Sequence, residues 1–91
     1  MDPALLQAFW NEARLQLLNF HAKPSSGDDA ADLAALATRL ESEARRIDTN
    51  RRTSPYNLPS LTQEAMTKVI GDTMYVAKLW VKAGRPPVPT V

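Results

Sequence analysis

Catalysis and metal binding need nucleophiles, imidazoles or grouped carboxylates at short spacing, and this sequence offers few of them. It has one histidine, His21, and no cysteine. Thiolate metal sites, disulfides and Cys–His nucleophile pairs are therefore excluded. No P-loop, GxGxxG or GxSxG element occurs. His21 falls near the expected C-terminus of a helix, where the dipole favours a cation. Asp28, Asp29 and Asp32 are the densest group of carboxylates. They lack the alternating spacing and following glutamate of a calcium loop, and they suit the positive end of a helix dipole instead. The reading is a non-enzyme with no cofactor and no metal.

The remaining chemistry is basic and aromatic. The stretch RRIDTNRRTSPYNLPS, residues 45–60, places four arginines in eight positions and then two prolines around a tyrosine. Arg45 and Arg46 are expected in the last turn of a helix, where cations are favoured. Arg51 and Arg52 have no such reason and are expected in an exposed loop. With Lys78, Lys82 and Arg85 they could form a basic face for phosphates. Against that reading, the net charge is only +1, and no helix-turn-helix, ribbon or stacking motif is present. Charge is distributed unevenly: residues 1–24 sum to 0, residues 25–50 to −3 and residues 51–91 to +4. In SPYNLPS, Pro55 and Pro59 stiffen a segment that carries Tyr56 and Leu58. Those two side chains either plug one end of the fold or form a docking knob beside Arg51 and Arg52, since tyrosine and arginine are enriched at interface hot spots.

Three amphipathic patterns position these residues. Asp2 can cap a first helix whose opening residue is Pro3. Leu6, Trp10, Ala13, Leu17 and Phe20, widened by Leu5 and Phe9, give that helix its apolar stripe. It ends before Pro24 in the turn composition KPSSGDD. A second helix opens near Ser26 to Asp28, with stripe residues Leu33, Ala37, Leu40, Ala44 and Ile47. Asn50, just beyond it, suits a left-handed terminating position. Ser60 with Gln63 has the form of a capping box for the third helix. Met66, Val69, Thr73, Val76, Trp80 and Ala83 form a stripe there, widened by Ile70, Met74, Ala77 and Val81. That breadth suggests the central helix of the three. KVIGDTMYV also admits a short hairpin or a break at Gly71, with Asp72 capping a new helix; the helical spacing and the stop signal Gly84 followed by RPPVP favour one helix. The fold expected is all-α: a three-helix bundle with helices about 3–22, 28–48 and 61–83, and a Pro-bounded loop over 49–60. Residues 1–84 make the domain and residues 85–91 a Pro-rich tail outside the core.

Two apolar residues on each of two helices lie off the stripes: Leu15 and Leu18 on the first, Tyr75 and Leu79 on the third. The function expected is that of a small interaction module, an adaptor, accessory subunit or inhibitor. Its protein interface would comprise Leu15, Leu18, Arg51, Arg52, Tyr56, Leu58, Tyr75 and Leu79, meeting a second copy or another protein. The competing readings are a nucleic-acid binder using Arg51, Arg52, Lys78, Lys82 and Arg85, and a structural homo-oligomer. The PxxP spacing from Pro86 to Pro89 is weak as an SH3 ligand, because Arg85 stands at the wrong offset. No run approaches the ~20 apolar residues of a membrane span, and MDPALLQAFWNEAR carries no basic leader. The protein is expected in the cytoplasm and off membranes.

Overall fold

The computed structural model describes residues 3–52 and 61–87, with backbone alone for 50–52. It contains three helices and, among the described residues, no strand: α1 Pro3–Ala22, α2 Asp29–Arg52 and α3 Gln63–Lys82. The all-α three-helix bundle is as expected. Leu6 and Trp10 of α1 share one cleft with Ala65 and Val69 of α3, and at the other end Phe20 and His21 meet Trp80. The chain thus runs up, down and up, with α1 and α3 parallel.

Local chemistry sets most of the ends. Pro3 opens α1 at the one position where its missing N–H costs nothing. Capping by Asp2 lies outside the described residues. The Lys23 amide still donates to the Asn19 carbonyl (3.0 Å), and Pro24 then stops the ladder. Gly27 turns the chain at φ 93°, a conformation other residues enter only with strain. Asp28 caps α2 by accepting the Ala31 amide at 3.0 Å.

Two helix ends differ from the expectation. α2 continues past residue 48 to Arg52, so Asn50 is helical rather than left-handed, and Arg45 and Arg46 stand well inside the helix. Asparagine permits a left-handed end without enforcing one, and Ile47 is still buried against the bundle. The arginines are held by carboxylates instead: Arg45 by Glu41 (3.4 Å), and Arg46 by Glu43 (2.6 Å) and Glu12 of α1 (3.8 Å). The second difference is the cap of α3. Thr62, not Ser60, takes that position with extended backbone, and its hydroxyl accepts the Ala65 amide at 3.1 Å. The shift leaves Leu61 buried just outside the helix. Leu61 and Met66 then occupy the two positions of a hydrophobic staple. Ser60 lies outside the described residues.

The third segment is one unbroken helix through Gly71. Neither hairpin nor break forms, and Asp72 pairs with Lys68 at 3.6 Å instead of capping a new helix. Thr73 is buried with its hydroxyl donating to the Val69 carbonyl at 2.8 Å, so no donor is stranded. α3 ends in a Schellman motif. The Arg85 amide donates to the Trp80 carbonyl (3.1 Å), the Gly84 amide to Val81 (3.0 Å), and Gly84 is left-handed at φ 88°.

The core is centred on Phe9, Leu36, Leu40 and Val69, all fully buried. Its axis is rotated slightly from the expected stripes. On α1, Leu5, Phe9, Ala13 and Phe20 are innermost, while Leu6, Trp10 and Leu17 flank them. On α2, Leu36 is buried and Leu33 is a flank. On α3, Ala65 and Ala77 take the inner positions, and Val76 is 46% exposed. Every helix packs against both others, so α3 is not central; its broad face is what contact with two neighbours requires.

Gly71 offers a direct test of this helix. A Cβ built there would meet nothing within 4 Å. Gly71→Ala should raise unfolding stability by about 0.5–1 kcal/mol, read as a rise of several degrees in Tm.

Candidate functional site

The apolar residues expected to lie off the core are exposed. Leu15 and Leu18 on α1 show 52% and 48% of their surface, and Tyr75 and Leu79 on α3 show 64% and 49%. Val76, assigned to the core by its spacing, is also exposed, at an open edge of the α3 core face one turn from Leu79. At about 100° of rotation per residue, Lys82 projects close to Tyr75 and Leu79, with Lys78 at the edge of the same patch. Both lysines are exposed. The last half of α3 therefore presents a small apolar patch with a cationic rim. Arg51 and Arg52 form the last described residues of α2, and only their backbone is described; Tyr56 and Leu58 lie outside the described residues.

Arg85 stands elsewhere. The Schellman turn delivers it in a left-handed conformation, φ 55°, which directs its side chain back across the end of the bundle. Its guanidinium Nη2 donates to Asp29 Oδ1 (2.8 Å) and Asp32 Oδ2 (2.9 Å) at the start of α2. The guanidinium carbon lies 5.6 Å from the ring centres of both Phe20 and Trp80, within cation–π range. The side chain is only 17% exposed. Arg85 is thus an internal tie between the C-terminal segment and α2, and the set Lys78, Lys82 and Arg85 does not form one open basic face. The Trp80 indole N–H donates to the carbonyl of the exposed Pro86 at 2.9 Å and so ties the start of the tail to α3.

The acidic group finds its use here. Asp28 caps α2, while Asp29 and Asp32 hold the guanidinium. Among the described residues no cluster of three or more potential ligands could hold a metal. Hydrogen bonding from Ser26, whose amide lies 3.1 Å from Asp32 Oδ2, with Arg85 adding to it, holds the Asp32 carboxyl below its ordinary range. Arg85 is raised in turn, first by Asp29 and then by Asp32.

His21 abuts the same cluster. Its ring is centred 4.5 Å from that of Trp80 and 6.3 Å from Phe20, and neither ring nitrogen has a hydrogen-bond partner among the described residues. Desolvation lowers its pKa, so the neutral imidazole is the form the fold prefers. Among the described residues no carboxylate contributes to this shift. Two clefts among the described residues are similarly plain. One, about 260 Å³ between α1 and α3, is walled by Leu6, Trp10, Ala65 and Val69 with Glu64 and Lys68 at its edge. The other, about 520 Å³ between α2 and α3, has Met66 and Ile70 for walls and the paired Glu41 and Arg45 at its edge. No described helix is long and apolar enough to cross a membrane. Comparison with protein-family models, curated proteins and solved structures finds no match to the chain.

Two predictions concern this end of the bundle. Asp32 has a lowered folded pKa, so its contribution is complete above its ordinary value of 3.8 and is lost as pH falls through the lowered one. Arg85→Met should therefore lower Tm at neutral pH by more than it does in acid strong enough to protonate Asp32. His21 is also lowered, so its contribution is complete above its ordinary value of 6.5 and declines as pH falls below it. His21→Phe keeps the ring contact with Trp80 and should flatten the change in denaturation midpoint between about pH 7 and 5.

Proposed function

We propose that the protein is a non-catalytic interaction module, an adaptor or inhibitor that docks on a larger protein through the last half of α3. The observation that carries this reading is the cluster of Tyr75, Val76 and Leu79 on one side of that helix, each 46–64% exposed. One exposed leucine is ordinary on a soluble surface, whereas three adjacent large apolar side chains mark a candidate contact. Tyr75 has the character of a hot-spot residue, with large rigid area and a polar tip. Lys78 and Lys82 would orient a partner whose apolar pocket is bordered by carboxylates. The expected contribution of Arg51, Arg52, Tyr56 and Leu58 is a separate proposal, because α2 ends beside the start of α3, at the other end of the bundle from Tyr75 and Leu79. Lack of cysteine accords with a reducing, cytoplasmic setting.

The nucleic-acid reading has less support. Arg85 has its charge offset by two carboxylates, which leaves Lys78 and Lys82 as the described cations of the C-terminal face. Affinity for phosphates through so few contacts would be weak and steeply dependent on salt.

The test is recovery of a partner by the tagged full chain, with and without nuclease, followed by titration with the purified partner. Tyr75→Ser with Leu79→Ser should weaken binding at least about tenfold, as loss of hot-spot contacts does. Helix content should stay constant, because both residues are outside the core. Unchanged affinity would overturn the proposal, and recovery that disappears with nuclease would transfer the function to nucleic acid.

A further inference from the structure

α1 carries a second stripe that the bundle does not use. Ala4, Ala8, Asn11, Leu15, Leu18 and Ala22 follow one another at spacings of four, three, four, three and four, the spacing of a coiled-coil seam. At about 100° per residue they fall within an arc of about 80°, directly opposite the buried line of Phe9, Ala13 and Phe20. All six are exposed. The surroundings are also unusual: among the exposed residues of α1, only Arg14 carries a formal charge. On α3, by contrast, Glu64, Lys68, Asp72, Lys78 and Lys82 are all exposed. Depletion of charge is one compositional mark of an interface centre, and the two leucines add exposed apolar area to it.

We infer that this seam joins two copies of the chain, α1 against α1, as an antiparallel pair about a two-fold axis that crosses the exposed face at the height of residue 13. The inference builds on the reading of the protein as an interaction module but uses another helix, so each can fail without the other. Three features of the seam select a second copy in that orientation. Antiparallel pairing about this axis sets Ala8 against Leu18, Asn11 against Leu15 and Ala4 against Ala22. Each leucine thereby meets a smaller side chain, as interdigitated layers require. A parallel pair would instead set leucine on leucine and alanine on alanine, leaving alternate layers crowded and empty. Finally, Asn11 already has its carbonyl oxygen engaged by the Gln7 amide at 3.1 Å, which lowers the cost of enclosing it.

The flanks predict how the dimer responds to salt. Arg14 borders the seam and would lie beside its own counterpart across the axis, and this like-charge contact is relieved by screening. Glu12, on the other flank, is engaged by Arg46 at 3.8 Å. The seam spans about 27 Å, eighteen steps of helix rise, and is one helix wide. That is a small interface, so the dimer should dissociate in the range of about 10–100 µM.

Sedimentation equilibrium of the full chain across that range tests the inference. The expected mass rises from 10.1 kDa toward twice that value, and rises further on adding salt. Leu15→Glu with Leu18→Glu should remain monomeric with unchanged helix content. Because the chain has no cysteine, orientation can be read from cross-links. An equimolar mixture of Ala8→Cys and Leu18→Cys chains should oxidise to the mixed dimer. Neither variant should cross-link to itself, since like positions are about 15 Å apart along the axis. A monomer throughout, a dimer that survives the two glutamates, or self-cross-linking of Ala8→Cys would overturn the inference. Partner binding that is lost only on changing Tyr75 and Leu79 would leave the α3 proposal standing in each case.

Discussion

Every helix in this bundle must divide one apolar face between two neighbours. That constraint orders the rest of the structure. A face serving two contacts is wide, and its centre line points at the bundle axis, where space is least. Phe9, Leu36, Leu40, Val69 and Ala77 occupy the centre and are wholly buried, while Leu6, Trp10, Met66, Ile70 and Met74 fill the seams on either side. Large side chains can sit in the seams because one edge remains open. Alanines are needed at the centre, where Ala13 and Ala77 let backbones approach. The breadth of α3 is thus a property of any helix in a three-membered bundle and gives it no privileged place.

Packing alone would leave the end near residue 85 open, and electrostatics closes it. The start of α2 carries a positive dipole end, which by itself would repel a guanidinium. Asp29 and Asp32 reverse that sign, so Arg85 can dock across them while Phe20 and Trp80 face its apolar surfaces. The acidic middle of the sequence and its basic C-terminal part meet at this point. Charge polarity along the chain therefore does not become an equal polarity of the surface, and this is the physical reason the basic-face reading weakens once Arg85 is placed.

What could be read from sequence was whatever a residue enforces locally. Pro3 and Pro24 bound α1 at the expected residues because proline lacks the donor a helix interior needs. Asn50 did not end α2, since asparagine tolerates a left-handed conformation but is equally able to remain helical. Ser60 and Thr62 offer the same capping chemistry two residues apart, and Thr62 caps the helix with Leu61 buried just before it. A spacing of fours and threes also fits two neighbouring lines on one helix, which is how Val76 was exchanged for Ala77 and Leu33 for Leu36. Exposure of Leu15, Leu18, Tyr75 and Leu79 follows from angle alone and was legible. The tie of Arg85 was not, because its partners are 56 and 53 residues away in the chain.

The two exposed apolar faces differ in chemistry, and the difference suits them to the two different roles proposed for them. Bringing two α3 patches together would gather Lys78 and Lys82 of both copies around one contact, an accumulation of like charge that opposes self-association. The same lysines favour an unlike surface with carboxylates at its rim. α1 has the opposite character: a nearly uncharged face whose small and large residues complement each other under a two-fold rotation. Self-recognition needs that property, because an isologous interface must be complementary to itself. A module built this way would pair through α1 while two copies of the α3 patch stay free. Even a weak α1 contact then raises the effective concentration of the second patch once the first is bound.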